Sequence, residues 1–337
     1  MSNTTSRVPV SKIIIDFFRP EDAAGVSACY RAIYGDQFPV AYVYDPDQVA
    51  ARNAGDDHHT VIARTPEGEV IGLIGMFRGR ANKHVYEIGQ LMVRDEYRST
   101  SIAVRLYTFI LKELPPKIDI HVLYGEALCS HVVSQKMSFS RGLHTTGLEL
   151  DVMPVSVSAV PGKEIEKQRG SLLLMFSIYH DTSQKVYLPA KHADFCTMLY
   201  KRLGAQRTIL PTGNKPDLQT TANYEWIPDL PLLSINITAI GSDLADYVQK
   251  LQDELTTDAP MVHIHLRLDD PGVEAGCAAL EEAGFFVSGL LPLWFGVDGL
   301  LLQRIPWSVD FSSIQLVPGE AEEVGNWVQT NLGRVCS

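Results

Sequence analysis

The sequence predicts an α/β (α+β) chain of two related domains, each a mixed, mostly antiparallel central sheet flanked by helices. Three observations predict it. Apolar, β-rich runs alternate with amphipathic helical stretches from residue 13 onward. A meander of three strands, 60–64, Val70–Arg78 and 86–93, feeds a polar loop and then a helix. The order strand, helix, strand, helix, glycine, strand occurs twice, in 86–155 and again in 232–305.

The elements follow from local signals. Strand 13–18 stops at Arg19-Pro20-Glu21-Asp22, where a proline and an acidic first turn open a helix reaching about Tyr34. A second helix is expected over Pro46–Asn53. Pro66-Glu67-Gly68-Glu69 turns the chain between strands 60–64 and Val70–Arg78. Helix 101–114 is stopped by Pro115-Pro116. Strand 118–124, a helix over 130–139 ending near Gly142, and strand 148–155 complete the first part. Residues 156–169 are polar and aperiodic and read as a linker, with a surface excursion as the alternative. The domains are therefore 1–155 and 170–337.

In the second part, 172–178 and 184–188 read as a hairpin pair. Helix 192–203 ends at Gly204, strand 230–240 follows, and Ser242-Asp243 caps a helix over Leu244–Leu255. Strand 261–268, helix 272–283 closed by Gly284, an antiparallel pair 285–293 and 300–305, and a terminal helix over 318–332 finish the chain. The two halves align at Gly142 and Gly284, and again five residues later at Gly147 and Gly289. With the matching element order, this indicates an internal duplication.

Composition bounds the function. The 337 residues are 45% hydrophobic and 20% charged, with a net charge of −11. That charge argues against broad nucleic-acid binding, which needs a basic face. The five cysteines form no CxxC or CxxH pair, so there is no zinc signature, and their scatter fits a reduced, cytoplasmic protein. No run reaches the ~18 apolar residues a membrane span needs, and the first residues lack a signal-peptide core.

The stretch LMVRDEYRSTSIAVRL, residues 91–106, carries the most chemistry. A strand ends at Arg94-Asp95-Glu96, and Arg98-Ser99-Thr100-Ser101 leads into helical spacing at Ile102, Leu106, Phe109 and Ile110. A small-residue loop opening a helix presents unpaired N–H groups at the positive end of the helix dipole, a site suited to a pyrophosphate.

These residues resemble the GNAT superfamily of acyl-CoA-dependent N-acyltransferases. The family pattern Arg/Gln-x-x-Gly-x-Gly/Ala stands here as Arg98-Ser99-Thr100-Ser101-Ile102-Ala103, and RPEDAAGVSACYRAIYG is similar to the family's first strand and helix. The likeness is good over 13–155 and only an echo of element order over 170–305. It implies acetyl-CoA or another acyl-CoA as cofactor, with Leu91, Met92 and Val93 on the pantetheine and Arg98, Ser99, Thr100, Ser101, Ile102 and Ala103 on the pyrophosphate. Two departures stand out: Ser101 replaces the first family glycine, and Ser138, beside Phe139, occupies the place where the family often has a tyrosine that protonates the leaving thiolate.

Amine acylation needs a base for the amine and an acid for the thiolate. Glu87, on the strand entering the loop, is the general-base candidate; the alternative is a solvated strand residue. His131, where the family often has Asn, is a candidate for positioning pantetheine or relaying a proton, with helix capping as the alternative. Tyr124 and Tyr86 are replacement-acid candidates, with buried packing as the alternative. His121 reads as an outward-facing strand residue. His58 and His59 point to opposite faces of a strand, and His263 and His265 share a face without an evident third ligand, so no metal is expected. Arg94 and Arg98 are candidates for cofactor phosphates or for a solvated loop. In the second half, Asp243 and Asp246 stand at the helix start and would repel a pyrophosphate. The expected activity is acyl transfer from acyl-CoA to an amine of a small molecule or peptide, with a degenerate second copy. The alternative is a non-catalytic acyl-CoA-binding sensor or scaffold. A second copy of the chain is a candidate partner, and neither nucleic acid nor membrane is.

Overall fold

A computed structural model of the protein describes residues 8–79, 82–155, 169–213, 219–227, 230–255 and 261–335. The chain divides into two compact units, Met1–Ile120 and His121–Ser337.

In the first unit, β1 (Ile14–Phe17), β2 (His58–Arg64), β3 (Val70–Arg78) and β4 (Val85–Val93) pair in chain order, each antiparallel to the last. The β2–β3 turn closes through Gly68, at φ 93°, whose N–H donates to Thr65 O at 3.0 Å. Strand β3 is apolar without alternation because helices α1 (Ala23–Tyr34) and α3 (Ile102–Glu113) both pack on it. Helix α2 (Pro46–Asn53) lies against α1; Asp45 caps it by accepting from the Asp47 and Gln48 N–H groups. The entry to α1 is fixed by a buried ion pair: Arg64 Nε donates to Asp22 Oδ1 at 3.1 Å, and its NH2 group pairs with the other carboxylate oxygen.

The second unit contains β5 (Val122–Leu128), α4 (Val133–Phe139), β6 (His144–Met153) and β7 (Gly170–Ile178). After these come β8 (Gln184–Tyr187), α5 (Ala193–Leu203), β9 (Arg207–Leu210), β10 (Thr221–Ile227), β11 (Leu232–Ala239) and α6 (Leu244–Leu255). Then follow β12 (Met261–Arg267), α7 (Val273–Glu282), β13 (Phe286–Leu291), β14 (Gly299–Arg304) and α8 (Glu320–Val335). Its main sheet runs β5-β7-β6-β13-β14-β12-β11-β10. The same device occurs twice: β7 inserts antiparallel between β5 and β6, and β14 inserts antiparallel between β12 and β13. An inserted strand is covered on both faces and both edges, which accounts for the unbroken apolar runs of Leu172, Leu173, Leu174, Met175 and Phe176 and of Leu300, Leu301 and Leu302. The α6 crossover makes β11 and β12 parallel.

Gly147 and Gly289, matched in the sequence, face each other where β6 meets β13. A Cβ on Gly147 would stand 2.7 Å from the Gly289 Cα. Each glycine is required by the backbone of the other.

Several expectations are corrected. The pair 172–178 and 184–188 is not a hairpin; β7 lies between β5 and β6, and β8 pairs parallel with β9 in a separate two-stranded sheet. A strand buried on both faces needs two neighbours, and the polar edge strand Gln184–Tyr187 is not one of them. Pairing thus links the strands before 156–169 to the strand after it; of that stretch only Arg169 is among the described residues. Strand β5 starts at Val122, four residues later than expected, because Pro115–Lys117 forms a 3-10 turn and the polar Gly125 and Glu126 hide the strand's second half. Strand β6 starts earlier, at His144, with Thr145 and Thr146 fully buried. Strands β9 and β10, unassigned in the sequence, are short or largely exposed.

Candidate active site

Strand β4 carries a β-bulge. Leu73 pairs with Met92 and Gly75 with Gly89, so Gln90 and Leu91 together oppose Ile74. Gln90 takes φ 55°, rare for a side-chain-bearing residue, and its side chain is fixed from α1: the Tyr30 hydroxyl donates to Gln90 Oε1 at 2.5 Å. Tyr42 also hydrogen-bonds Gln90. A bulge interrupts the ladder and re-aims the residues that follow, here Leu91, Met92 and Val93.

Glu87 is half-buried on β4, opposite Phe77. Its Oε1 lies 2.9 Å from where a Cβ of Gly89 would be, so the absent side chain at Gly89 gives the carboxylate its place. Glu87 and Gly89 share a strand face, and the Tyr42 phenol is close enough for Glu87 to push it up, adding to the larger effect of burial.

The loop after β4 turns through a 3-10 segment, Asp95–Tyr97, and through Ser99 at φ 59°. The Thr100 hydroxyl donates to Tyr97 O at 2.6 Å and closes the loop. Ser101 is the N-cap of α3, and its side chain caps nothing. The first-turn N–H groups have no intrahelical acceptors; that of Ile102 reaches only Thr100 Oγ1, at 3.4 Å. A left-handed residue beside an uncapped helix start is a concave array of N–H dipoles, which fits an anionic phosphate group. Carboxylates hold the neighbouring arginines. Arg94 is held between Glu69 and Glu96, while Arg98 pairs with Asp95 at 2.9 Å and donates to Val93 O at 3.3 Å. Both brace the loop.

Tyr124, His131 and Ser138 lie in the second unit. Tyr124, on β5, is buried, stacked on Phe176 at 5.4 Å and edge-on to Trp294 at 5.3 Å. His131 precedes α4; its Nδ1 is buried without a partner among the described residues, and burial lowers its pKa, so the ring is neutral at pH 7. Ser138 is buried in α4. Tyr86, in the first unit, is fully buried and accepts from Arg78 Nε at 3.1 Å. His58 packs against Phe77 and Tyr42, and His265 against Trp294. His263 faces Glu149 at 3.3 Å.

The sequence reading missed the aromatic wall beside β4. Tyr30, Tyr34 and Phe38 pack with their rings tilted to one another and centroids 5.0–6.5 Å apart, and Tyr42 follows. The signal was the spacing of aromatics in YRAIYGDQFPVAYVY, residues 30–44.

Residues 27–136 match the family model described as Acetyltransferase (GNAT) family. No curated protein matches the chain. Similar solved structures include Arabidopsis thaliana NAA60 in complex with acetyl-CoA, 16% identical over 50% of this chain and 98% of that one, TM-score 0.38. The same protein with a bisubstrate analogue is 16% identical over 49% and 96%, TM-score 0.37. Ribosomal-protein-S5-alanine acetyltransferase from Vibrio fischeri is 12% identical over 51% and 95%, TM-score 0.40. The likeness to the GNAT acetyltransferase family thus lies within residues 27–136.

Proposed function

We propose that the chain is an N-acyltransferase that moves an acetyl or other acyl group from acyl-CoA to an amine of a small molecule or peptide. The observation that carries this reading is the uncapped start of α3 behind left-handed Ser99, reached from a bulged strand that bears Glu87. Bound acetyl-CoA supplies an acyl group activated as a thioester. The N–H groups of Ser99–Ala103 hold the pyrophosphate, with Arg98 bracing the loop, and the backbone of Leu91, Met92 and Val93 lines the pantetheine arm. Glu87 takes the proton of the attacking amine, directly or through one water. The aromatic wall of Tyr34, Phe38 and Tyr42 borders the acceptor.

The repeated insertion of β7 and β14 supports reading the second half as a degenerate copy. There β11 and β12 stay paired through Ile237 and Leu266, which leaves no gap for a pantetheine arm between them. Asp243, at the start of α6, accepts from the Thr220 N–H at 2.8 Å, and that contact keeps its carboxyl below the ordinary range. A carboxylate there repels a phosphate.

A second reading, acyl-CoA binding without turnover, is favoured by buried Ser138 at the expected tyrosine position. Calorimetry with acetyl-CoA and longer acyl-CoAs tests what the two readings share, and no binding by wild type ends both. A thiol-release screen across amines, amino acids and peptides separates them. Turnover with any acceptor supports the enzyme, and binding without turnover supports the sensor or scaffold.

A further inference from the structure

The second unit holds a cluster that belongs to neither reading above. His192 ends the short turn Ala190–His192 that leads into α5, and its side chain is 1% exposed. Cys277 and Glu281 sit one helical turn apart on α7, on the same face. One donor atom from each of the three residues lies within 4.8 Å of the other two. His192 Nε2 is 2.8 Å from Glu281 Oε1, and its Nδ1 is buried without a partner among the described residues. Lys191 Nζ holds the other Glu281 oxygen at 2.7 Å, and Glu274 Oε2 accepts the Ala190 N–H at 2.6 Å.

We propose that His192, Cys277 and Glu281 form a binding site for one divalent cation of the zinc type, which clamps the turn before α5 to α7. The donor chemistry selects the ion. A thiolate and an imidazole suit zinc, whereas magnesium and calcium take oxygen ligands. The helix supplies two ligands at a fixed spacing and the turn supplies the third, so three protein ligands leave one coordination position for water. Charge closes the argument. With the thiol ionised, Cys277, Glu281 and Glu274 carry three negative charges against the one positive charge of Lys191, and a divalent cation neutralises the remainder. The cation binds the thiolate, so binding expels the Cys277 proton, and the cation replaces the contact between His192 and Glu281. The cluster went unseen in the sequence because its ligands come from elements some 85 residues apart and no short motif joins them.

The test titrates chelator-treated full-length protein with Co2+ and with Zn2+. Expected are one site per chain, a thiolate-to-cobalt charge-transfer band, displacement of Co2+ by Zn2+, and a rise in the thermal midpoint with Zn2+. Cys277→Ala abolishes the band while its far-UV circular dichroism stays that of wild type. Glu281→Gln weakens Zn2+ binding by about tenfold or more. No band in wild-type protein overturns the proposal, as does a band that survives in Cys277→Ala. If Cys277→Ala fails to fold, Glu281→Gln decides, and unchanged affinity there is equally fatal.

Discussion

Glu87 and Ser101 bear the proposed chemistry, and each makes a separate prediction. Glu87→Gln keeps the shape and hydrogen-bonding reach of the side chain but cannot take a proton. Its turnover is expected to fall by about 10²-fold or more, while calorimetric affinity for acetyl-CoA stays unchanged. Turnover equal to wild type would remove Glu87 as base. Ser101→Glu places a carboxylate at the N-cap of α3. Affinity for acetyl-CoA is expected to drop by roughly 1–2 kcal/mol, or five- to thirtyfold, and Ser101→Gly should bind at least as well as wild type. Equal affinities across the three proteins would place the pyrophosphate elsewhere. Both could be singled out in the sequence because each lies in or just before a loop whose pattern is local. The contact that shapes the strand beside them, Tyr30 to Gln90, was not, because it joins residues 60 positions apart through a side chain with no motif of its own.

Among the elements, those bounded by their own chemistry were read closely from sequence. Pro46 and Asp45 mark the start of α2, and Pro115-Pro116 the end of α3. Pairing was harder to read, since β7 and β14 are inserted strands whose partners depend on elements far away in the chain. The glycine match at 147 and 289 is where a weak sequence signal proved structural. The two residues sit at the only register position paired between β6 and β13 among the described residues, with backbones too close for side chains. Gly147→Val should therefore destabilise the protein by about 1–3 kcal/mol, from forced backbone separation, read as a lower denaturant midpoint at unchanged slope. Gly333 offers the contrast: it is exposed in α8 with nothing within 4 Å of an added Cβ. Gly333→Ala is expected to be neutral or to stabilise by up to about 1 kcal/mol. Destabilisation by both substitutions alike would mean that the β6–β13 joint carries no special constraint.

At the scale of the molecule, composition and patterning were enough to place the chain among α+β proteins, and the repeated element order was visible before any pairing was known. Missing from the sequence was the burial of polar groups inside the sheet, where histidine looks the same on an exposed or a covered strand. His265, on β12, is buried and stacked on Trp294, with Nδ1 unpartnered among the described residues. Burial, with His263 beside it, pushes its folded-state pKa down to about 3, whereas an unfolded histidine titrates near 6.5. Between these values the unfolded chain binds a proton that the folded chain refuses, so ΔG of unfolding rises with pH across that window. The contribution is fully present above about pH 6.5 and is lost as the pH falls, by up to about 1.4 kcal/mol per pH unit. His265→Leu removes the titrating group. From pH 7 to pH 5, wild type should lose about 2 kcal/mol more stability than the variant, measured by urea unfolding at each pH. Acidic groups shift both proteins together and cancel in the difference. Equal losses would show that His265 takes up its proton inside the folded sheet.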